Sequence, residues 1–397
     1  MKILVILPRF PYPLEKGDKL RAYHQIRMLA ADNDIYLFAL SHHKVDDASK
    51  VELQRYCRDI CVARISTLAA ALRTFRNLCS VRSLQIGFWK SKRALRLCLQ
   101  FADSVAPDVV YAQMIRTLPY AAHLDLPKVL DYQDCLSMNA QRRMASLRGL
   151  SYFLVHYEFK MLRSAEYNAT TIFDRLTIIS ERDRNAIPQH YDTEIEIVRN
   201  GVDFDYFAPL DIPKDYDIVF CGNMQYRPNI DAAQYLVNDI MPIVWRRRPD
   251  ARVLIAGATP KPAVRALASA RVSVSGSLPD IRPAYARSRL FVAPMRIGSG
   301  LQNKLLEAMA MKIPCVTTAV ANNSLGASPG SEILLGNDAD QFASAIVSLL
   351  DDEKLRLSMA DNAYRFVTSH FSWQSATAPL EKLLHDCTNG VSKRNEV

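Results

Sequence analysis

The sequence predicts an α/β protein of two domains, each a parallel sheet covered by helices. Three observations predict it. Short β-rich apolar runs alternate with helical patterns along the chain, 397 residues suffice for two hydrophobic cores, and one proline-bearing segment separates two series of such runs.

The first series opens with KILVILP, continues through the helical KLRAYHQIRMLAA to DIYLFALS, and later includes VVYAQM, KVLDY and LTIIS. Runs apolar on both alternating faces suit strands with helices packed on each side. The second series begins at DIVFCG, residues 217–222, and continues through ARVLIAGA, RVSVSG, LFVAPM and IPCVTT. Between them lies EIVRNGVDFDYFAPLDIPKDY, residues 196–216, closed by Pro209 and Pro213, which reads as the joint. The expected domains are therefore residues 1–205 and 206–370, with 371–397 as a closing helical segment returning to the first domain. Breaks in helix are expected near Phe371, Ser372 and Trp373 and at Pro379, with a disordered tail NGVSKRNEV. In open parallel sheets ligands bind beyond the carboxyl ends of the strands, so strand-end residues are the ones to inspect.

Composition narrows the class. The apolar run Ile3 to Leu7 is too short for a signal-peptide core or a membrane span, so a cytoplasmic location is expected. The eight cysteines follow neither zinc spacing nor a disulfide framework. The net charge of +9 is uneven: residues 1–200 hold 29 Lys+Arg against 21 Asp+Glu, residues 201–397 hold 21 against 20. Residues 60–102 carry Arg64, Arg73, Arg76, Arg82, Lys90, Lys92, Arg93 and Arg96 with no acid, interleaved with Leu68, Leu72, Phe75 and Leu78 and then Phe88 and Trp89. That is the pattern of an amphipathic surface for anionic lipid, peripheral on the inner face of the cell membrane; a solvated basic face is the plainer alternative. No helix-turn-helix, zinc-finger or RNP-like signature accompanies the charge, so no nucleic-acid partner is expected.

The stretch MRIGSGLQNKLLEAMAMKIPCV, from Met295 to Val316, carries the strongest chemical signal. A strand ends, glycines bracket a serine, and a helix follows. Winding residues 301–311 at helical pitch puts Asn303, Lys304, Glu307 and Met311 on one narrow strip, with apolar residues around the rest. A buried helix with one polar strip needs something polar for the strip to face, and a strand, glycine turn and helix N-terminus form an anion site.

Together NGVDFDYFAP, FCGNMQYRPNIDAA, GSLPDIRPAYARSRLFVAPMRIGSGLQNKLLEAMAMKIPCV and the Trp373 segment resemble family 4 glycosyltransferases of the GT-B fold. More narrowly the chain is similar to sugar transferases of bacterial exopolysaccharide clusters, including those associated with PEP-CTERM/EpsH systems. The resemblance implies two Rossmann-like domains facing a cleft, a UDP- or GDP-linked nucleotide sugar held mainly by the second domain, and a glycan or polyprenyl-diphosphate-linked acceptor on the first. It also implies retaining transfer without a metal or other cofactor. Glu307 matches the second glutamate of the family's E-x7-E motif, expected at the donor ribose. Ser299 stands where the first glutamate falls, and Asn223 and Met224 follow Gly222 where the family has arginine and then lysine. Arg227 and Lys304 are the nearest replacement cations, expected to serve catalysis by neutralising the diphosphate. The donor set is completed by Gly222, Asn223, Leu278, Gly298, Ser299, Gly300 and Asn303.

In the first domain, Gly17 lies in the loop after the first strand, with Lys19, Arg21 and His24 entering a helix, and is expected to approach the diphosphate. KVLDYQD ends a strand with Asp131 and Asp134, and Gln133 takes the place of the family's histidine. Asp134 is the expected general base, with Asp131 as its alternative and a helix N-cap near Ser137 as its structural reading. Asp32-Asn33-Asp34 and Asp203-Phe204-Asp205 read as turns, not as metal motifs. Two other functions share these features: a nucleotide-sugar-binding protein without catalysis, and a GT-B-fold nucleotide-sugar 2-epimerase.

Overall fold

The computed structural model describes residues 1–14, 16–68, 70–71, 74, 83–144, 147–190, 193–297 and 301–392. The chain divides into two compact units, Met1–Arg199 with Ala376–Val397, and Asn200–Ser375.

The first unit is built on seven parallel strands, β1 (Lys2–Leu7), β2 (Asp34–Ser41), β3 (Cys57–Arg64), β4 (Val109–Gln113), β5 (Lys128–Asp131), β6 (Arg175–Ile178) and β7 (Ile195–Ile197), in the order β3-β2-β1-β4-β5-β6-β7. Strand periodicity explains its two cores. Leu4 and Ile6 of β1 join one cluster with Phe38, Val110 and Leu130, while Ile3, Val5 and Leu7 face the other with Ile26, Leu37 and Val109. The last helix, Trp373–Ser392, adds Leu380, Leu384 and Cys387 to that second cluster, and its Glu381 accepts from the buried Asn33 amide at 2.7 Å.

The second unit holds six parallel strands, β8 (Tyr216–Cys221), β9 (Val253–Ala256), β10 (Val272–Val274), β11 (Ser288–Ala293), β12 (Cys315–Thr317) and β13 (Leu334–Leu335), ordered β10-β9-β8-β11-β12-β13. Both units are thus Rossmann-like sheets. Each has one point where consecutive connections leave in opposite directions, between β1 and β4 in the first and between β8 and β11 in the second.

Several local expectations need correction. β3, β7 and β13 escaped the apolar-run reading because they are half-polar or very short. The terminal helix runs through Pro379 without a break and continues to Ser392, four residues into the supposed tail from Asn389, while 393–397 lie outside the described residues. Proline at the seventh helical position removes one backbone donor, and the buried Leu380 and Leu384 hold the helix across it. Gly201 has a structural reason: a Cβ there would meet the Trp373 backbone nitrogen at 2.6 Å.

Candidate functional site

In the second unit the chain leaves β8 through Gly222. A Cβ on Gly222 would meet the Asn229 side chain at 2.7 Å, and one on Gly257, after β9 at φ +136°, would lie 1.9 Å from the Gly222 carbonyl oxygen. Two strand ends therefore approach backbone to backbone, which only glycine allows. Asn223 is exposed, its side-chain oxygen accepting from the Gln225 amide at 3.0 Å, and the Asn229 amide donates to the Asn223 carbonyl at 3.0 Å.

The helix expected from the polar-strip argument spans Asn303–Ala310 and starts with no side-chain cap on its N-terminal amides. Leu305, Leu306, Ala308, Met309 and Ala310 are buried, while Asn303, Lys304 and Glu307 remain partly open. Met311, expected on the strip, is buried at the helix end instead, because the helix stops there and its backbone turns back into the core. The Lys304 Nζ donates to Asn229 Oδ1 at 2.5 Å and lies 5.0 Å from the Phe220 ring centroid. Burial pulls its ammonium down to about 8, while Glu307 and then Cys221 favour the charged form. Glu307 accepts from the Tyr285 hydroxyl at 2.7 Å; burial raises its carboxyl above the ordinary value, opposed by that hydrogen bond and by Lys304. Asn303 Oδ1 accepts from Asn200 Nδ2 at 3.4 Å.

A carboxylate, an ammonium and uncapped helix amides thus gather at the β8/β11 switch point, able to take hydroxyls and an anionic group side by side. Arg227 opens the helix Arg227–Tyr235 and is exposed, with no hydrogen bond or ion pair among the described residues. Leu278 is exposed in the loop between β10 and the helix Arg282–Ala286. Gly298, Ser299 and Gly300 lie outside the described residues. Tyr285, Asn229 and Asn200 were missed as site residues. All three sit within motif runs, but their partners are far apart in sequence, so no local pattern marks them.

In the first unit, the strand-end residues Met114 and Gln133 have φ of 62° and 61°, unusual for side-chain-bearing residues and costly outside functional sites or forced turns. Arg21, which enters the helix after the first strand as read from the sequence, is 1% exposed, and its Nε donates to Asp131 Oδ2 at 2.6 Å. Tyr111 bridges Asp131 and Gln25, and Gln113 links Gln25 to Gln133. Asp131 is therefore committed to a buried ion pair, which removes it as the alternative base. His24 is likewise buried. Gly17 begins the helix Gly17–Leu29 with open space around a would-be Cβ, so nothing in its packing demands glycine.

Asp134 reaches solvent. Crowding by protein raises its carboxyl to about 6, helped by the Asp183 and Asp131 carboxylates and opposed by Arg21 and Arg142. It does not serve as the cap near Ser137: the Ser137 amide at the start of the helix Leu136–Met144 donates to Glu166 at 3.0 Å. Glu158, in the long helix Leu150–Ile172, accepts from Ser83 and from the Leu84 and Gln85 amides, capping the helix Leu84–Trp89. Asp203 Oδ1 accepts from the Asp205 and Tyr206 amides, a turn.

Residues 215–352 match the family model described as glycosyl transferases group 1. An uncharacterised 44.6 kDa protein of the cps region of Klebsiella pneumoniae is 23% identical over 408 residues, 96% of this chain and 99% of that one. Among solved structures, sucrose-phosphate synthase from Thermosynechococcus elongatus superposes with a TM-score of 0.68 at 14% identity, covering 98% of this chain and 100% of that one. Anabaena HepE, solved with UDP-glucose, superposes with a TM-score of 0.69 at 15% identity, covering 97% and 100%. The fold and the matched segment define the class, a glycosyltransferase of the GT-B fold. More particularly, the matched segment, described as glycosyl transferases group 1, lies wholly within the second unit and spans β8 to β13.

Proposed function

We propose that the protein transfers a sugar, with retention and without a metal, from a UDP- or GDP-linked donor to a glycan or polyprenyl-diphosphate-linked acceptor in exopolysaccharide synthesis. The observation that carries this reading is the pairing of Lys304 and Glu307 on the single polar strip of an otherwise buried helix at a strand-order switch point. Glu307 takes the ribose hydroxyls, with Asn303 beside it. Lys304 and Arg227 neutralise the diphosphate, together with the Asn303–Ala310 amides and the Gly222–Asn223 turn. Gly298, Ser299 and Gly300 complete the donor loop, and Leu278 lies against the donor. HepE's UDP-glucose is a donor of the proposed class.

During transfer the bond from the anomeric carbon to the diphosphate oxygen breaks and a bond from that carbon to the acceptor oxygen forms. The nucleoside diphosphate leaves with the electron pair, and the acceptor hydroxyl gives its proton to Asp134. Gly17 is assigned to the diphosphate on the resemblance alone. The enzyme works in the cytoplasm on the inner membrane face, with residues 60–102 on anionic lipid. Among the described residues no helix is long and apolar enough to cross a membrane.

Thermal shift with UDP and GDP tests the donor assignment. One nucleotide should raise the melting temperature of the native protein and fail to do so in Glu307→Ala. Undiminished binding in that variant discards the site. Incubation with UDP-GlcNAc and no acceptor should leave the sugar's configuration unchanged; an epimerised product overturns transfer as the reaction. Reversing Arg73, Arg76, Lys92 and Arg93 to glutamate should weaken binding to anionic vesicles, and full binding removes the role given to residues 60–102.

A further inference from the structure

The helix Leu150–Ile172 buries Glu158, Leu162, Glu166 and Ala169 on one side, but its first turn, apolar except for Ser151, is open all round. Leu150 is 75% exposed, Phe153 67%, and Tyr152 and Leu154 about two-fifths, at 39% and 40%. Successive residues on a helix point 100° apart, so these four do not form a face turned from the core; they form a protruding end. Tyr152 packs edge-on against Phe153 and stacks on His156, which keeps the aromatic rings together at that end.

The exposed charge nearest this tip along the chain has one sign. From Cys135 to Phe173 the cations are Arg142, Arg143, Arg148, Lys160 and Arg163, all exposed. The acids in that span are Glu158 and Glu166, both buried and occupied in capping backbone amides.

We propose that this tip is a docking surface for an anionic lipid bilayer, separate from residues 60–102. Leu150, Phe153 and Leu154 enter the acyl boundary, Tyr152 sits at headgroup level, and Arg142, Arg143 and Arg148, which precede the tip in the chain, meet lipid phosphates. A second copy of the chain is the other apolar partner to weigh. A two-fold contact through the tip would set Arg142, Arg143 and Arg148 of the two copies against each other, which opposes self-association. The inference deepens the proposed reading of a lipid-linked acceptor, since it brings the first unit to the surface where such an acceptor resides.

The test is flotation of the full chain with vesicles of phosphatidylcholine alone or with about one-third phosphatidylglycerol. Wild type should float with the anionic vesicles. Phe153→Glu with Leu154→Glu should lower that binding at least about tenfold, because both lost side chains are apolar anchors. Arg142→Gln with Arg143→Gln and Arg148→Gln should reduce the preference for anionic over neutral vesicles, leaving the share that residues 60–102 supply, and an unchanged preference overturns the role given to these arginines. All of these side chains are exposed, and an unchanged melting temperature and UDP-induced shift confirm that both units are folded. Wild-type flotation in the tip variant, or absence of flotation in the wild type, overturns the proposal. So does light scattering that shows a dimer dissociated by Phe153→Glu. If UDP gives no shift in any variant while flotation behaves as stated, the donor reading fails and the docking surface stands.

Discussion

The Tyr285 hydroxyl donates to the Glu307 carboxylate at 2.7 Å, joining the helix Arg282–Ala286 to the helix Asn303–Ala310 at the carboxyl end of the second sheet. Tyr285 is fully buried, and burial followed by the Glu307 charge raises its phenol well above the ordinary value, so it acts here as a fixed donor. A hydrogen bond to a charged group is worth about 1.5–3 kcal/mol. Tyr285→Phe should therefore weaken UDP binding by roughly ten- to a hundredfold. Pyrophosphate, which has no ribose, should bind with unchanged affinity. Equal loss for both ligands in calorimetry would mean that Tyr285 supports the fold alone and does not position Glu307.

Lys304, proposed to neutralise the diphosphate, should set an upper pH limit. Its ammonium, lowered to about 8 by burial, is charged at neutrality and loses its proton as pH rises through that value. Since only the charged form neutralises a diphosphate, UDP affinity should decline above pH about 8 and the decline should vanish in Lys304→Gln, which binds weakly at every pH. A bound diphosphate favours the ammonium, so the midpoint should be higher in the complex than in the free protein. A pH-independent affinity in the wild type from pH about 7 to 10 would remove Lys304 from this role.

Asp134, the proposed base, should set a lower limit. A general base must be ionised, and crowding raises this carboxyl to about 6, so kcat/KM should fall as pH drops through about 6. Asp134→Asn should lose most transfer activity and show no such limb, while UDP binding persists. Retention of the limb in that variant would assign it to another group.

The Arg21–Asp131 pair predicts a stability effect confined to the first unit. Its side chains are 1% and 0% exposed and meet at 2.6 Å, so removing either charge strands the other in a low-dielectric interior. Arg21→Met should cost about 3–5 kcal/mol, read as a lowered denaturation midpoint. The double variant Arg21→Met with Asp131→Asn should recover part of that loss, since no uncompensated charge remains. Additive losses in the double-mutant cycle would show that the pair is not coupled.

Gly257 carries a prediction of a different kind. Its φ of +136° and the 1.9 Å approach of a would-be Cβ to the Gly222 carbonyl leave no accommodation except separation of the β8 and β9 ends. Gly257→Ala should destabilise the second unit by on the order of 3 kcal/mol and weaken UDP binding together. A variant with wild-type melting would show that the two strand ends part freely.

Much of this was legible in the chain because its signals are local. β1, β2, β4 and β8 are buried on both faces, so each appears as an unbroken apolar run. The Asn303–Ala310 helix has one polar strip, and a period of 3.6 residues exposes it to simple winding. β3 was hidden because its exposed Arg58, Asp59 and Arg64 interrupt the apolar pattern at the sheet edge. The exposed tip at Leu150 to Leu154 was hidden for the opposite reason: an apolar run has the same sequence whether it enters a core or leaves it.

By itself, then, the sequence determined the strand and helix alternation, the two-sheet class and the identity of the polar strip, since backbone geometry converts residue spacing directly into faces. Tertiary structure alone decided which polar groups share a proton or a charge. It took Asp131 into an ion pair with Arg21, left Asp134 open, and set Tyr285 on Glu307 across 22 residues of chain. Hydrogen bonds and burial act through space over a few ångströms, and the separations that bring those atoms together are fixed by packing, not by order along the chain.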